Sequence, residues 1–244
     1  MLGLGVGFYK LAGNDYPGGW NPTELGAKLI HWYQFNTGIT VSTVGDDTNA
    51  ITGWADQKGS NNVRPTVIDN SAKMPQLQSD GTILFQTADD DLAFNSALTL
   101  GTFACYFKIN WSTSTSGSDV INSDNLMSGS NDFLKIFNST QARIKVGSAG
   151  GARQDFTINE IIEGQDFVIG YERKSNGDFE IYKDNNKASV ISPDDGNTPI
   201  STATSITKIG PPANKSNWYE VVVCNDSLSD AERNELYNYL VSVG

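Results

Sequence analysis

The chain has 244 residues, of which 38% are hydrophobic and 10% aromatic, so it is apolar enough for a folded core and short enough for one domain. Its 28 acidic and 17 basic residues give a formal charge of −11 without a basic stripe along the sequence, which argues against nucleic acid and membranes as partners. No apolar run approaches the roughly 18 residues of a membrane span.

Residues 1–19 are predicted to form a flexible, glycine-rich N-terminal arm. Six glycines interrupt a segment whose first nine positions include the large apolar side chains Leu2, Leu4, Val6, Phe8 and Tyr9. Such a segment cannot build its own core, so it is either a frayed terminus or an arm that binds a partner through those five residues. No basic residue precedes it and no cleavage site ends it, so we expect no signal peptide and synthesis in the cytoplasm.

A short helix is predicted after the arm. Asn21-Pro22-Thr23-Glu24 combines an N-cap residue with Pro at the first helical position, and the helix should end near Gly26. The following run, residues 29–35, has the composition of a strand and contains the sole histidine, His31. Because His31 lies between Ile30 and Trp32, we expect it to be packed or at a rim rather than catalytic.

Short β runs between turn clusters make up most of the remaining chain. They are residues 51–55, 83–85, 102–110, 133–137, 142–146, 156–158, 167–173, 179–183 and 218–224. No amphipathic helices alternate with them, which predicts an antiparallel sandwich. Turn residues at 176–177 and 184–186 predict a three-stranded meander, and residues 112–132 read as a long polar loop with a brief strand at 119–121.

The C-terminal segment is predicted to be a helix that docks on the sandwich. Ser229-Asp-Ala-Glu232 forms a capping box, and Leu236, Leu240 and Val243 follow at the spacing of one helical face. The two cysteines, Cys105 and Cys224, lie in apolar runs. They are interpreted as buried thiols, with a disulfide or zinc pair as the alternative.

The order of these elements resembles the concanavalin A-like, laminin-G-like jelly-roll domains. The matching pieces are Trp32-Tyr33, residues 54–62, Leu84-Phe85 with residues 89–92, residues 180–186, Ile209-Gly210, and residues 219–233 with the closing helix. The resemblance implies that residues 20–244 form one all-β domain, a two-sheet antiparallel jelly-roll sandwich with a short N-terminal helix and a C-terminal helix. The glycine-rich start and the Asn/Ser/Thr/Asp-rich composition resemble the small virion structural proteins of marine bacteriophages.

The carboxylates do not follow the pattern of a glycosidase of this superfamily. A Glu-x-Asp-x-x-Glu strand would place acid and nucleophile on one face, and no such strand occurs. The nearest clusters have the wrong spacing; they are Glu160/Glu163/Asp166 and Glu172/Asp178/Glu180. We therefore expect no enzymatic activity.

One acidic turn is a candidate calcium site. Asp89, Asp90 and Asp91 could bind Ca²⁺ if backbone carbonyls completed the shell, whereas the resembling family has a tight turn here in which Asp caps N–H groups. Asp46-Asp47 and Asp194-Asp195 are weaker candidates. No other cofactor is expected.

Three aromatic residues that flank loops are candidates for stacking on sugar rings: Trp111, Trp218 and Tyr219. Most of the five tryptophans must fill the core, Trp32 and Trp54 first, which leaves Trp111 as the best candidate.

These observations support two hypotheses about function. The first is a non-enzymatic virion subunit of a bacteriophage, a head decoration or part of a tail or fibre, which is anchored by its arm to a capsid or tail protein or to further copies of itself. The second is a lectin-like module that attaches to host or environmental glycans through one rim. The two roles are compatible in one protein.

Overall fold

The computed structural model describes residues 19–111, 124–147, 153–194, 203–212 and 214–244. Within these residues the chain forms two short 3-10 helices, Pro22–Leu25 and Ser71–Lys73, and one α-helix, α1 (Asp230–Ser242). The strands are β1 (Leu29–Tyr33), β2 (Ile39–Val44), β3 (Asp47–Trp54), β4 (Val63–Arg64), β5 (Gln76–Leu77), β6 (Ile83–Phe85), β7 (Leu92–Leu100), β8 (Phe103–Trp111), β9 (Asp124–Ser128), β10 (Phe133–Asn138), β11 (Gln141–Lys145), β12 (Arg153–Thr157), β13 (Asp166–Arg173), β14 (Phe179–Lys183), β15 (Asn186–Lys187), β16 (Ser189–Asp194), β17 (Thr204–Ile209) and β18 (Ser216–Cys224).

The strands pair antiparallel in two layers. The first layer has the order β1–β18–β8–β13–β14–β15. The second has the order β2–β3–β4–β7–β17–β9–β10–β11–β12–β16. Strands β5 and β6 join the layers, because β5 pairs with β3 and β6 pairs with β18. The predicted all-β jelly-roll sandwich is confirmed.

Strand β8 shows why the first layer is buried on both faces. Phe103, Cys105, Phe107 and Ile109 alternate along one face and enter the main core between the layers. The residues between them face helix α1, where Ala104 and Tyr106 belong to a second core. A near-continuous run of buried residues along β8 follows from this double coverage.

Helix α1 covers the outer face of the first layer. Its start is the predicted capping box, in which Ser229 and Glu232 exchange side-chain and backbone hydrogen bonds. Leu236, Leu240 and Val243 are buried against the sheet, as the sequence predicted. No helix in the described ranges is long and apolar enough to cross a membrane.

Several local predictions are corrected or refined. The N-terminal helix is a 3-10 helix of four residues, which Asn21 caps and which ends where Gly26 adopts a φ of 61°. The polar loop predicted over residues 112–132 contains strand β9, and the brief strand predicted at 119–121 lies outside the described residues. The meander is confirmed as β13, β14 and β15.

The two cysteines are buried, free thiols. They lie on neighbouring strands, but Cys105 belongs to the main core and Cys224 to the core under α1. Side chains on opposite faces of a sheet cannot form a disulfide or share a zinc ion. The interpretation as buried thiols is therefore confirmed, and the paired alternative is wrong.

Candidate functional site

His31 lies in β1 beside the loop that follows β3. Its Nδ1 atom is 2.7 Å from Oδ2 of Asp56, and that carboxylate also accepts hydrogen bonds from the N–H groups of Trp32 and Lys58. Burial raises the pKa of Asp56, but the hydrogen bonds from His31 and from backbone N–H groups outweigh it and keep the pKa below its usual value. The pair therefore holds this loop against β1.

The three carboxylates of the acidic turn do not converge on one point. Each has its own partners: Lys73 for Asp89, Gln86 and Thr87 for Asp90, and Thr66 and Lys208 for Asp91. Across the described ranges, no three His, Cys, Asp or Glu side chains are grouped closely enough to hold a metal ion. The carboxylates of Asp89–Asp91 instead cap the turn and tie it to neighbouring strands, which agrees with the alternative that the resembling family implied.

Two of the three candidate sugar-stacking residues are in the core. Trp218 is 0% exposed and packs against Phe85, and Trp111 is 3% exposed and packs against Phe167. Neither ring presents a face to solvent, so both predictions are corrected. Tyr219 is half-buried, packs against Phe35 and donates a hydrogen bond to Asp166 at 3.0 Å.

Two of the carboxylates considered for catalysis, Glu172 and Glu180, take part in structural ion pairs. Glu172 is fully buried and bonds to Tyr106 Oη at 2.6 Å and Arg233 Nε at 3.0 Å. Lys174 bridges Glu172 and Glu180 at 2.6 and 3.0 Å. These contacts tie α1 to the first layer, and they leave Glu172 facing the helix.

The five arm residues predicted to bind a partner, Leu2, Leu4, Val6, Phe8 and Tyr9, lie outside the described residues. So does the Asp195 half of the Asp194-Asp195 candidate.

A surface that the sequence analysis did not single out lies on the outer side of the second layer. We call it the β9–β12 face and define it by the half-buried side chains that alternate outward along these four strands: Asn125, Phe133, Lys135, Phe137, Arg143, Lys145, Arg153 and Asp155. The residues between them, such as Leu134 and Ile144, point into the main core. The face thus combines aromatic rings, four cations and an amide on one rigid sheet.

The cations of the β9–β12 face lie on the aromatic rings. Lys135 Nζ is 4.6 Å from the centre of the Phe133 ring, and the Arg143 guanidinium is 4.1 Å from that of Phe137. Arg143 also forms a bidentate ion pair with Asp155, at 2.6 and 2.7 Å. These contacts fix the orientation of the side chains on the face.

A polar depression of about 310 Å³ opens at the β9–β10 end of the face. It is lined by Asn125, Ser128, Gly129, Ser130, Asn131, Asp132, Phe133, Lys135 and Lys145. Within the described structure the Oδ1 atom of Asn125 is buried and accepts no hydrogen bond. A buried acceptor of this kind favours a ligand that brings its own donor.

A signal for this face was present in the sequence. Residues 133–137 read Phe-Leu-Lys-Ile-Phe and residues 141–145 read Gln-Ala-Arg-Ile-Lys, each with large or charged residues at alternate positions. Nothing in the linear sequence showed that these strands are neighbours. The basic residues therefore seemed scattered, although strand pairing gathers them on one surface.

No family model matches the sequence, and the comparison with curated proteins returns no significant match. The fold defines the class as a β-sandwich domain. A sialidase of Trypanosoma rangeli in complex with sialic acid has a TM-score of 0.52 and 13% identity, over 86% of this chain and 33% of that one. The receptor binding domain of botulinum neurotoxin D has a TM-score of 0.56 and 13% identity, over 83% of this chain and 52% of that one.

A third solved structure, the serotype D ligand binding domain in complex with N-acetylneuraminic acid, has a TM-score of 0.53 and 13% identity over 83% of this chain and 51% of that one. The chain therefore spans about a third of the sialidase and half of the neurotoxin domains. At these identities the likeness establishes the β-sandwich fold.

Proposed function

We propose that this chain is a lectin-like module that binds carbohydrate through the β9–β12 face. The observation that carries the proposal is the buried, unpaired Oδ1 of Asn125 in a polar depression that the half-buried Phe133 also lines. A sugar has an apolar face for stacking and hydroxyl groups that donate hydrogen bonds, so it complements both features.

The comparisons support this proposal because some of the structurally similar proteins bind a saccharide. Two of the similar structures are complexes, one of a sialidase with sialic acid and one of a toxin's ligand binding domain with N-acetylneuraminic acid. Proteins that contain a domain of this fold therefore bind saccharides, while the residues that would do so here are those of the β9–β12 face.

A glycan array with fluorescent protein tests the proposal. Wild type should bind a subset of glycans, and Phe133→Ala and Asn125→Ala should each lose that binding while they keep the wild-type circular dichroism spectrum. Ile68→Ala is the matched control, since Ile68 is an apolar residue that is 66% exposed and lies outside the face. Binding that survives both face substitutions would contradict the proposal.

We propose that the module acts without catalysis. The residues nearest to a glycosidase pair, Glu172 and Glu180, are both held by cations in the contacts with Lys174. Turnover of any array-positive glycan by wild type, and its loss in Glu180→Gln, would contradict this part of the proposal.

We also propose the virion role, in which the module is a surface subunit of a bacteriophage particle. Its support is the alternation of glycine with large apolar residues over residues 2–9, which suits an extended arm in a groove of a neighbouring capsid, tail or identical subunit. Removal of residues 1–19 should leave the melting temperature almost unchanged and abolish incorporation into particles. Normal incorporation of the truncated chain would contradict the anchoring role.

A further inference from the structure

The β9–β12 face places cations directly opposite one another on neighbouring strands. Lys135 of β10 is the register partner of Arg143 of β11, and Lys145 of β11 is the register partner of Arg153 of β12. Two like-charge pairs therefore occupy adjacent rows of one small surface.

Like charges at directly opposed positions destabilise a sheet, so this arrangement has an energetic penalty in the free protein. Burial lowers the pKa of Lys135, and the nearby Arg143 lowers it further, with Asp124 acting in the opposite direction. An excess of basic residues does not explain these like-charge pairs, because the chain has 28 acidic and only 17 basic residues.

One carboxylate on the face reduces the repulsion for part of the cluster. Asp155 pairs closely with Arg143 and lies 3.9 Å from Arg153 Nε. Lys135 and Lys145 lie at the other end, where they line the polar depression with Asn125 and the buried Asp132, whose carboxylate accepts a hydrogen bond from the Ser205 N–H group. Asp124 acts on the charge of Lys135, whereas no ion pair of Lys145 is found among the described residues. Lys145 is therefore the cation of the depression with which an anionic ligand can pair.

We propose that the saccharide bound by this face is anionic and carries a carboxylate or sulfate group that Lys145 neutralises. The inference rests on the proposed carbohydrate-binding function and specifies its ligand class. An anion at Lys145 forms charge-assisted hydrogen bonds, which are stronger than those of neutral groups, and it reduces the repulsion between Lys145 and its register partner Arg153.

The charge of the whole chain favours a saccharide over a nucleic acid. At −11 the protein repels a long, densely charged polyanion beyond the area of the face, whereas an oligosaccharide with one or a few charges interacts with the local cations only. A nucleic acid ligand is therefore an outcome for the test to decide.

Matched ligand pairs separate charge from sugar recognition. Fluorescence titrations would compare a sulfated oligosaccharide with its desulfated form, a carboxylated one with its carboxyl-reduced form, and a single-stranded oligonucleotide. Wild type should prefer at least one anionic member by roughly tenfold or more, and the preference should shrink as salt is raised.

Three variants locate the effect on the face. Lys145→Gln should lose roughly tenfold or more in affinity for the anionic member only, and Lys145→Arg should retain it because the charge is kept. Lys58→Gln, which alters an exposed lysine in the loop after β3, should match wild type. In a second readout, the anionic ligand should raise the melting temperature of wild type more than that of Lys145→Gln.

The outcomes are distinct. Equal affinity for charged and uncharged members overturns the anionic inference and leaves the carbohydrate proposal standing. Binding of neither member, by wild type with a normal melting temperature, overturns both. Binding of the oligonucleotide as tightly as the best glycan, with the same loss in Lys145→Gln, also overturns the inference.

Discussion

Lys108 of β8 and Glu220 of β18 are register partners, and both are buried beneath helix α1. Lys108 Nζ donates hydrogen bonds to the carbonyl oxygens of Val241, at 3.3 Å, and Val243 at the end of the helix. Glu220 accepts a hydrogen bond from Trp32 Nε1 at 2.6 Å. A cation at the C-terminal end of a helix is favourable, so this pair fastens α1 to the sheet at its last turn.

Loss of the lysine charge should loosen the helix. We expect Lys108→Met to lower the free energy of unfolding by about 3 kcal/mol, because it leaves the buried Glu220 carboxylate without its neighbouring cation and the last carbonyls of α1 without a donor. Urea unfolding followed by circular dichroism measures the change. The double variant Lys108→Met/Glu220→Gln should be more stable than Lys108→Met alone, and additive losses would contradict the coupling.

The buried carboxylate also predicts a pH dependence of stability. Burial raises the pKa of Glu220 from 4.5 to about 7, so between these values the folded chain binds a proton that the unfolded chain has released. Stability should therefore fall as pH rises through this window, by up to about 3 kcal/mol for the full shift. Urea unfolding of wild type and Glu220→Gln from pH 5 to pH 8 measures the change, and the variant should lack this decline.

At lower pH the sign reverses. The pKa of Asp56 lies below its usual value, as does that of Glu180, at about 2. Their contributions are present above the normal carboxylate pKa and are lost as pH falls through the depressed values. A maximum of stability on the acid side of neutrality is expected, and an optimum above pH 8 would contradict the assignment of Glu220.

Gly170 is a packing site in the centre of the first layer. It is the register partner of Tyr106, whose ring lies where a Cβ atom at this position would be. We expect Gly170→Ala to destabilise the protein by roughly 1–3 kcal/mol, because the tyrosine must move and its hydrogen bond to Glu172 is disturbed. Thermal unfolding tests this; the same substitution in a Tyr106→Val background should have a smaller effect.

Arg233 connects the first turns of α1 to the sheet. Its Nε donates to the buried Glu172, and its guanidinium stacks 3.9 Å from the centre of the Tyr182 ring. Arg233→Met should cost about 3–5 kcal/mol, since it leaves a buried carboxylate with fewer donors. Hydrogen exchange should show faster opening of α1, whereas Arg233→Lys should recover part of the loss; unchanged protection in Arg233→Met would contradict this role.

The sequence predicted the features that depend on local chemistry. The Ser229–Glu232 capping box and the turns of the meander were legible because their residues are neighbours in the chain. Strand β9 was not predicted, because Asp124, Asn125 and Ser128 give this segment the polar composition of a loop. The prediction that Trp111 is exposed was wrong, because a residue next to a loop can still point into the core. The alternation of side chains along β8 determines the face on which Trp111 lies.

The β9–β12 face could not be predicted from the sequence, because it depends on which strands are neighbours in the fold. Lys135 and Arg143 are joined by the pairing of β10 and β11, and the face is completed only when β12 adds Arg153 and Asp155. Pairing between strands depends on register, which a single sequence does not reveal. Burial of Lys108 and Glu220 was equally hidden, because it depends on a helix that follows them in the chain.

Because α1 covers only one of the two layers, the two outer surfaces of the domain differ. The helix occupies the outer surface of one layer, and the β9–β12 face belongs to the other layer. Copies attached side by side to one support through their helix surfaces would all present the β9–β12 face away from that support. Under the proposed carbohydrate-binding function, a polymer with repeating sugars would then contact many parallel sites at once, so that weak individual contacts add up to durable attachment.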